Sequence, residues 1–179
     1  MKPIAQLGSG YAGEHFTAYD PPAGRASAAL GGGARPGIIS IVGMGAEMWL
    51  ISATDTAETV ERALACGDEA AAVRHLTEAI SRIMQAPGST QIPLSVLAAP
   101  APNTDERYST LIATAFAYAM LSRGETPRSW MTDVQPLESE WLWGGDGASE
   151  EFRDFIRRNT PETFRSKNVL THARDWATL

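Results

Sequence analysis

Cysteine and lysine are scarce in this sequence. Cys66 is the only cysteine among the 179 residues, so no disulfide bond can form within the chain, as is typical of proteins from a reducing compartment. We expect Cys66 to be a small buried residue at a helix end. Lys2 and Lys167 are the only lysines, and the formal net charge is -6. This charge argues against binding along a nucleic-acid backbone, which requires clustered basic residues.

Long apolar runs and a secretion signal are also missing. No apolar run approaches the roughly 20 residues of a membrane-spanning helix. The N-terminus lacks the basic start and the apolar stretch of a signal peptide. The sequence therefore predicts a cytoplasmic protein that does not enter a membrane. Hydrophobic residues still make up 44% of the chain, which is enough to form a core.

The first 55 residues differ in composition from the rest and contain most of the 16 glycines. Two apolar runs, at residues 38–42 and 47–53, flank the segment Gly-Met-Gly-Ala and predict a β-hairpin with a four-residue loop. We interpret residues 1–55 as a Gly-rich hairpin region or a partly disordered segment. Alternatively, part of this segment lies upstream of the true start codon, for which Met44 and Met48 are internal candidates.

Residues 56–179 have the pattern of a helical domain. Asp55 and Glu58 resemble a capping box, which predicts that a first helix begins there. Asp68 is placed to cap a second helix, along which apolar residues recur at helical spacing. The predicted fold class is therefore α+β, mainly α: a helical C-terminal body with a small N-terminal β-hairpin region.

The most apolar helix is predicted in the middle of this domain. Asn103 with Glu106 marks its start, and Gly124 is placed to be the residue that follows its end. Its sequence leaves little polar surface, as expected for a helix that packs on several sides. Shorter helices follow, of which one is capped by Ser149 and a final one by Thr171.

No arrangement of residues predicts catalysis, a cofactor or a metal. The segment from Gly8 to Gly13 matches G-x-G-x-x-G, but the seven residues before Pro21 are too few for the helix of a dinucleotide-binding unit. The three histidines lie far apart and none has a second ligand at zinc spacing. No G-x-S-x-G motif supports a catalytic triad. We therefore predict a protein that is not an enzyme, with no catalytic residues, no cofactor and no metal.

Tryptophan is concentrated in one loop-rich region, at Trp130, Trp141 and Trp143. The simplest interpretation is that these side chains hold irregular loops onto the helical core. The alternative is a protein-binding surface, because Trp and Arg are enriched at binding hot spots. We assign Trp141 to the core and choose Trp143, which precedes Gly144, as an exposed anchor. The other candidate protein-binding residues lie on the next predicted helix: Phe152, Phe155, Arg157 and Arg158.

From Tyr108 to the C-terminus, a long apolar helix is followed by several short motifs. These are Pro127-x-x-Trp130, Leu137 with Trp141, Thr160-Pro161-x-x-Phe164, the run Lys167-Asn168-Val169-Leu170, and the closing Leu179. This pattern resembles small helical bacterial proteins that are encoded beside toxin genes and form the antitoxin halves of such pairs. The resemblance implies a protein partner, a nucleotidyltransferase-like or PIN-type ribonuclease toxin.

The function that we expect is therefore protein binding, by an antitoxin that covers the active site of a toxin. A homo-oligomer is compatible with the sequence. One alternative is an enzyme with an unrecognised active site, which a gene position inside a metabolic operon would favour. The other is a transcriptional regulator, which would require a helix-turn-helix with basic residues on its second helix. Several members of the antitoxin family that this sequence resembles carry such a module, but none is evident in this sequence.

Overall fold

Three long helices, α1 (Ala53–Ala65), α2 (Glu69–Gln85) and α3 (Glu106–Ser122), pack against one another. The computed structural model describes residues 49–145 and 147–176. The smaller elements are α4 (Ser129–Thr132), β1 (Trp141–Leu142), α5 (Glu150–Asn159), α6 (Glu162–Arg165), β2 (Val169–Leu170) and a 3₁₀ helix (Ala173–Asp175). The described part of the chain is mainly helical, as the sequence predicts.

Most of the predicted N-terminal hairpin lies outside the described residues, as does the Gly8–Gly13 motif. Only the end of the second predicted strand, from Trp49 to Ala53, is described. None of these residues lies in a strand, and Ala53 is the first residue of α1. For these residues the strand prediction is wrong, because a helix cap occupies the position where the strand was expected to end.

The cap of α1 lies one turn before the predicted one. Ser52 Oγ accepts a hydrogen bond from the backbone N–H of Asp55 at 3.0 Å, so Ser52 is the N-cap and Asp55 lies in the first turn. The helix ends at Cys66, which is its C-cap residue. The prediction that Cys66 is buried is wrong, since the turn that carries it is at the surface and its thiol is exposed.

Helices α2 and α3 largely match the sequence prediction. Asp68 caps α2 by accepting a hydrogen bond from the N–H of Ala71 at 2.8 Å. The end of α3 is marked by Gly124, whose φ of 73° is one that glycine adopts without strain. The start of α3 is later than predicted, because Asp105 is its N-cap. Eleven of the 17 residues of α3 are buried, which confirms that it is the central helix.

The segment between α2 and α3 contains no helix or strand but contributes to the core. Its apolar side chains Ile92, Val96 and Leu97 are buried with the helices. Arg123, at the end of α3, holds this segment in place by donating to the backbone carbonyls of Ile83 at 3.1 Å and Thr90 at 2.8 Å. These bonds attach the last turn of α2 and the segment after it to the end of α3.

The C-terminal elements form a small second core. Strands β1 and β2 pair in parallel, with Trp141 opposite Val169 and Leu142 opposite Leu170. Helix α5 covers this pair, so that Ile156 packs with Leu142 and Leu170. The sequence did not predict these strands, because a two-residue strand is too short to show an alternating pattern.

The caps of the last elements agree only partly with the sequence. Ser149 caps α5 as predicted, with its Oγ 3.3 Å from the N–H of Phe152. The predicted cap of the final helix, Thr171, is wrong, because His172 is the N-cap of a 3₁₀ helix and accepts from the N–H of Arg174. Thr171 instead accepts a hydrogen bond from Trp176 Nε1 at 3.1 Å.

Candidate protein-binding surface

Three aromatic side chains of the C-terminal region, Trp143, Phe164 and Trp176, form a stacked column. The ring of Trp176 lies between Trp143, at 4.8 Å, and Phe164, at 5.0 Å, and both pairs are nearly parallel. Phe164 also contacts Tyr118 of α3 at 5.4 Å. Trp176 and Phe164 are fully buried. The column therefore joins the C-terminal segment to the central helix.

Two further tryptophans hold loops onto the core. Trp130 contacts Phe116 of α3 at 5.9 Å and donates through Nε1 to the backbone carbonyl of Leu97 at 3.0 Å. Trp141 meets the edge of Tyr108 at 5.3 Å. Burial, together with a hydrogen bond from the Tyr108 hydroxyl to Glu69, raises the pKa of Tyr108. For these two tryptophans, the interpretation as loop anchors is confirmed.

The expected difference between Trp141 and Trp143 is not found. Both side chains are half-buried and both pack against the main core. Trp143 cannot lie in the open as expected from its position before Gly144, because its ring is stacked on Trp176 and its Nε1 is buried. The backbone N–H of Trp143 also donates to Leu170, directly after β1. Its part in binding remains a prediction, but it does not supply an exposed anchor.

The exposed aromatic surface lies on α5 instead. Phe152 and Phe155, two of the candidate protein-binding residues, are 49% and 47% exposed. Their rings are 6.4 Å apart, and Phe155 stacks on His172 at 5.8 Å. Only Ile156 of α5 is buried. We call Phe152, Phe155 and His172 the aromatic patch.

The two candidate arginines of α5 have different surroundings. Arg157 donates to Glu140, with its Nη2 2.7 Å from a carboxylate oxygen, and it also pairs with Asp154. The hydrogen bonds to Glu140 raise the pKa of Arg157 above its ordinary value. Arg158 is exposed and donates through Nε to the backbone carbonyl of Asp154 at 3.1 Å. Arg157 therefore attaches α5 to the segment before β1, whereas Arg158 borders the aromatic patch.

A polar cluster that the sequence did not predict surrounds Asn103. Predicted to start α3, Asn103 is buried instead and donates through Nδ2 to the carbonyl of Ala57 and to Glu61, each at 3.0 Å. Hydrogen bonds from Thr104 and Asn103 lower the pKa of Glu61. No signal in the sequence links Glu61 to Asn103, since the two positions lie on different elements. Shallow cavities of about 150 and 140 Å³ lie on either side of Asn103.

A larger cavity of about 350 Å³ lies between α3, α4 and α6. Thr114 and Leu121 of α3 form one wall, and Lys167 lies on the opposite side. The ammonium group of Lys167 is engaged, because it donates to the backbone carbonyls of Thr132 at 2.9 Å and Val134 at 2.6 Å. The cavity is open and mostly apolar. Lys167, the cationic residue among those that line it, is hydrogen-bonded to the backbone at the end of α4.

Among residues 49–145 and 147–176, no group of three or more His, Cys, Asp or Glu side chains is arranged to hold a metal ion. In the same part of the chain, no helix is long and apolar enough to cross a membrane. No family model matches the sequence, and no curated protein or solved structure matches it.

Proposed function

We propose that this protein is a protein-binding module and that the aromatic patch is its contact surface. The observation that supports this proposal is the pair of half-exposed phenylalanines, Phe152 and Phe155, beside each other on α5. Most other aromatic residues described are packed into the core. Contiguous apolar surface on a protein is often a site of interaction, because leaving it in water is unfavourable.

The patch has the features of a binding hot spot. Its two phenylalanine rings lie on α5, which is held in position by the packing of Ile156 and by the Arg157–Glu140 ion pair. A rigid helix reduces the entropy that is lost when a partner binds. Arg158 supplies a charged group at the rim, where such groups act mainly on specificity and association rate. Trp143, in this proposal, supports the surface from the interior.

We propose that the partner is a toxin encoded by a neighbouring gene, of the nucleotidyltransferase-like or PIN-type ribonuclease class. The resemblance of residues 108–179 to antitoxins supports this assignment. The module would act by covering the active site of the toxin, which requires neither a cofactor nor a catalytic residue. Binding of nucleic acid is not part of this function.

The test is co-expression of the tagged protein with the product of the adjacent gene, followed by affinity capture and a growth assay. Phe152→Ala and Phe155→Ala should each weaken binding by about 2 kcal/mol or more, which is the usual threshold of a hot spot. Both variants should therefore lose protection against the toxin. Circular dichroism should show that both remain folded, since neither ring is buried.

The matched control is Leu121→Ala, which removes an apolar side chain that is 52% exposed on α3. This variant should bind the partner as the wild type does, because Leu121 lies on a different helix from the patch. If both phenylalanine variants bind as tightly as the control, the aromatic patch is not the contact surface. If the adjacent gene product is not captured by the wild type, the toxin assignment is wrong.

A further inference from the structure

One side of α5 carries an apolar residue between two opposite charges. Glu151, Phe155 and Arg158 occupy positions i, i+4 and i+7, which lie within about 60° of each other around a helix with 3.6 residues per turn. All three side chains are exposed. Phe155 therefore has a negative charge one turn before it and a positive charge one turn after it.

Three other charged residues of α5, Glu150, Asp154 and Arg157, take part in ion pairs within the chain. Arg157 contacts the carboxylates of Glu140 and Asp154. By contrast, neither Glu151 nor Arg158 forms an ion pair within the part of the chain that the structure describes. The side of α5 that presents Phe155 thus combines exposed apolar area with two charges that are available to a second molecule.

We propose that this side of α5 is the self-contact of a symmetric homodimer, in which α5 packs antiparallel against α5 of a second copy. A two-fold axis near Phe155 would place the two Phe155 rings together. The same axis would place Glu151 of each copy opposite Arg158 of the other, so that the dimer contains two equivalent ion pairs. This inference rests on the proposed function, since it names what covers the aromatic patch before the partner protein binds.

The arrangement of charges selects the antiparallel orientation. A parallel pair of α5 helices would bring Glu151 against Glu151 and Arg158 against Arg158, and both contacts would be repulsive. Antiparallel packing also aligns the two helix dipoles favourably. Phe152, one turn before Phe155, adds apolar area beside the axis.

Self-association of this kind would regulate the proposed function. The dimer would bury Phe152 and Phe155, so a partner protein that uses the same rings must displace the second copy. Binding of the partner would then compete with dimer formation, and the apparent affinity for the partner would fall as the concentration of this protein rises.

Sedimentation equilibrium of the full-length protein, without any partner, tests the proposal. Glu151→Arg and Arg158→Glu each change both symmetric pairs from attraction to repulsion, so each should raise the dimer dissociation constant about tenfold or more. The double variant with both changes should restore most of the wild-type association, because the charges are then exchanged and again complementary. Phe155→Asp should abolish the dimer.

Two control variants separate this contact from general surface effects. Glu138→Arg reverses an exposed charge outside α5, and Leu94→Asp changes an apolar residue that is 65% exposed. Both should remain dimeric, and circular dichroism should show that every variant is folded. A wild-type protein that is monomeric at all concentrations would overturn the proposal, as would a double variant no better than the single ones. Either result leaves the capture test of Phe152 and Phe155 with the adjacent gene product unaffected.

Discussion

The indole ring of Trp143 stacks on the ring of Trp176, with the two ring centroids 4.8 Å apart. Its Nε1 is buried without a hydrogen-bond partner among the described residues. Replacement by alanine should remove this stacking contact and leave a cavity beside Trp176. We expect Trp143→Ala to lower the free energy of unfolding by about 3 kcal/mol. Urea denaturation followed by circular dichroism measures this change.

The control for this substitution is Trp49→Ala, since Trp49 is the tryptophan with an exposed side chain. That variant should lose less than about 1 kcal/mol. Equal stability of Trp143→Ala and the wild type would show that Trp143 lies on the surface, as the sequence alone suggests. In that case Trp143 would again be a candidate for an exposed anchor.

Single side chains of this region could be placed only in part from the sequence. The composition indicated correctly that tryptophans hold loops onto the core, because large aromatic side chains are mostly buried in small proteins. It could not indicate that Trp143 is half-buried like Trp141. That depends on Trp176, more than thirty residues further along the chain. The exposure of Phe152 and Phe155 likewise depends on which face of α5 packs against β1 and β2.

Helix α3 offers a direct comparison of two leucines within one element. Leu111 is fully buried, whereas Leu121 near its C-terminal end is 52% exposed. Leu111→Asp would place a charge in the core at a cost of several kcal/mol, which is comparable with the whole stability of a small domain. We expect this variant to be unfolded, as judged by the loss of a cooperative thermal transition.

Leu121→Asp is the matched control, since it makes the same chemical change on the same helix. It should retain a cooperative transition, because the carboxylate at this position is in contact with water. If Leu111→Asp melts at the wild-type temperature, α3 is oriented differently from the arrangement described above. Loss of folding in both variants would instead show that any acidic residue at these positions disrupts α3.

The elements that the sequence predicted are those with local signals. Caps such as Asp68 and Ser149, and the glycine after α3, act on their own helices and can be read from neighbouring positions. The predicted start of a helix was wrong where two residues that can act as N-cap lie close together in the sequence. Ser52 and Asp55 belong to the same first turn, and their mutual geometry decides which of them is the N-cap. Strands β1 and β2 carry no local signal, since their pairing joins segments far apart in the chain.

The N-terminal boundary of the helical domain can be tested by shortening the chain. The buried hydrophobic residues of the described part extend from Ala53 to Trp176. Contacts also reach upstream of Ala53: Ser52 caps α1, Leu50 packs against the core, and Arg82 donates to the backbone carbonyl of Trp49 at 2.8 Å. We predict that a fragment beginning at Trp49 folds cooperatively, because it retains this core and these contacts.

A fragment beginning at Ala53 lacks the side-chain cap of α1, the acceptor for Arg82 and the side chain of Leu50, which packs against the core. It should be less stable than the Trp49 fragment by roughly 2 kcal/mol or more, because an N-cap contributes about 1 kcal/mol and both the hydrogen bond of Arg82 and the burial of Leu50 add to it. Urea denaturation of the two fragments, with the full-length protein as reference, measures both differences. An insoluble or non-cooperative Trp49 fragment would show that residues before Trp49 are required for folding. Equal midpoints for the two fragments would show that α1 is held by its packing on α2 and α3 alone, with no contribution from its cap.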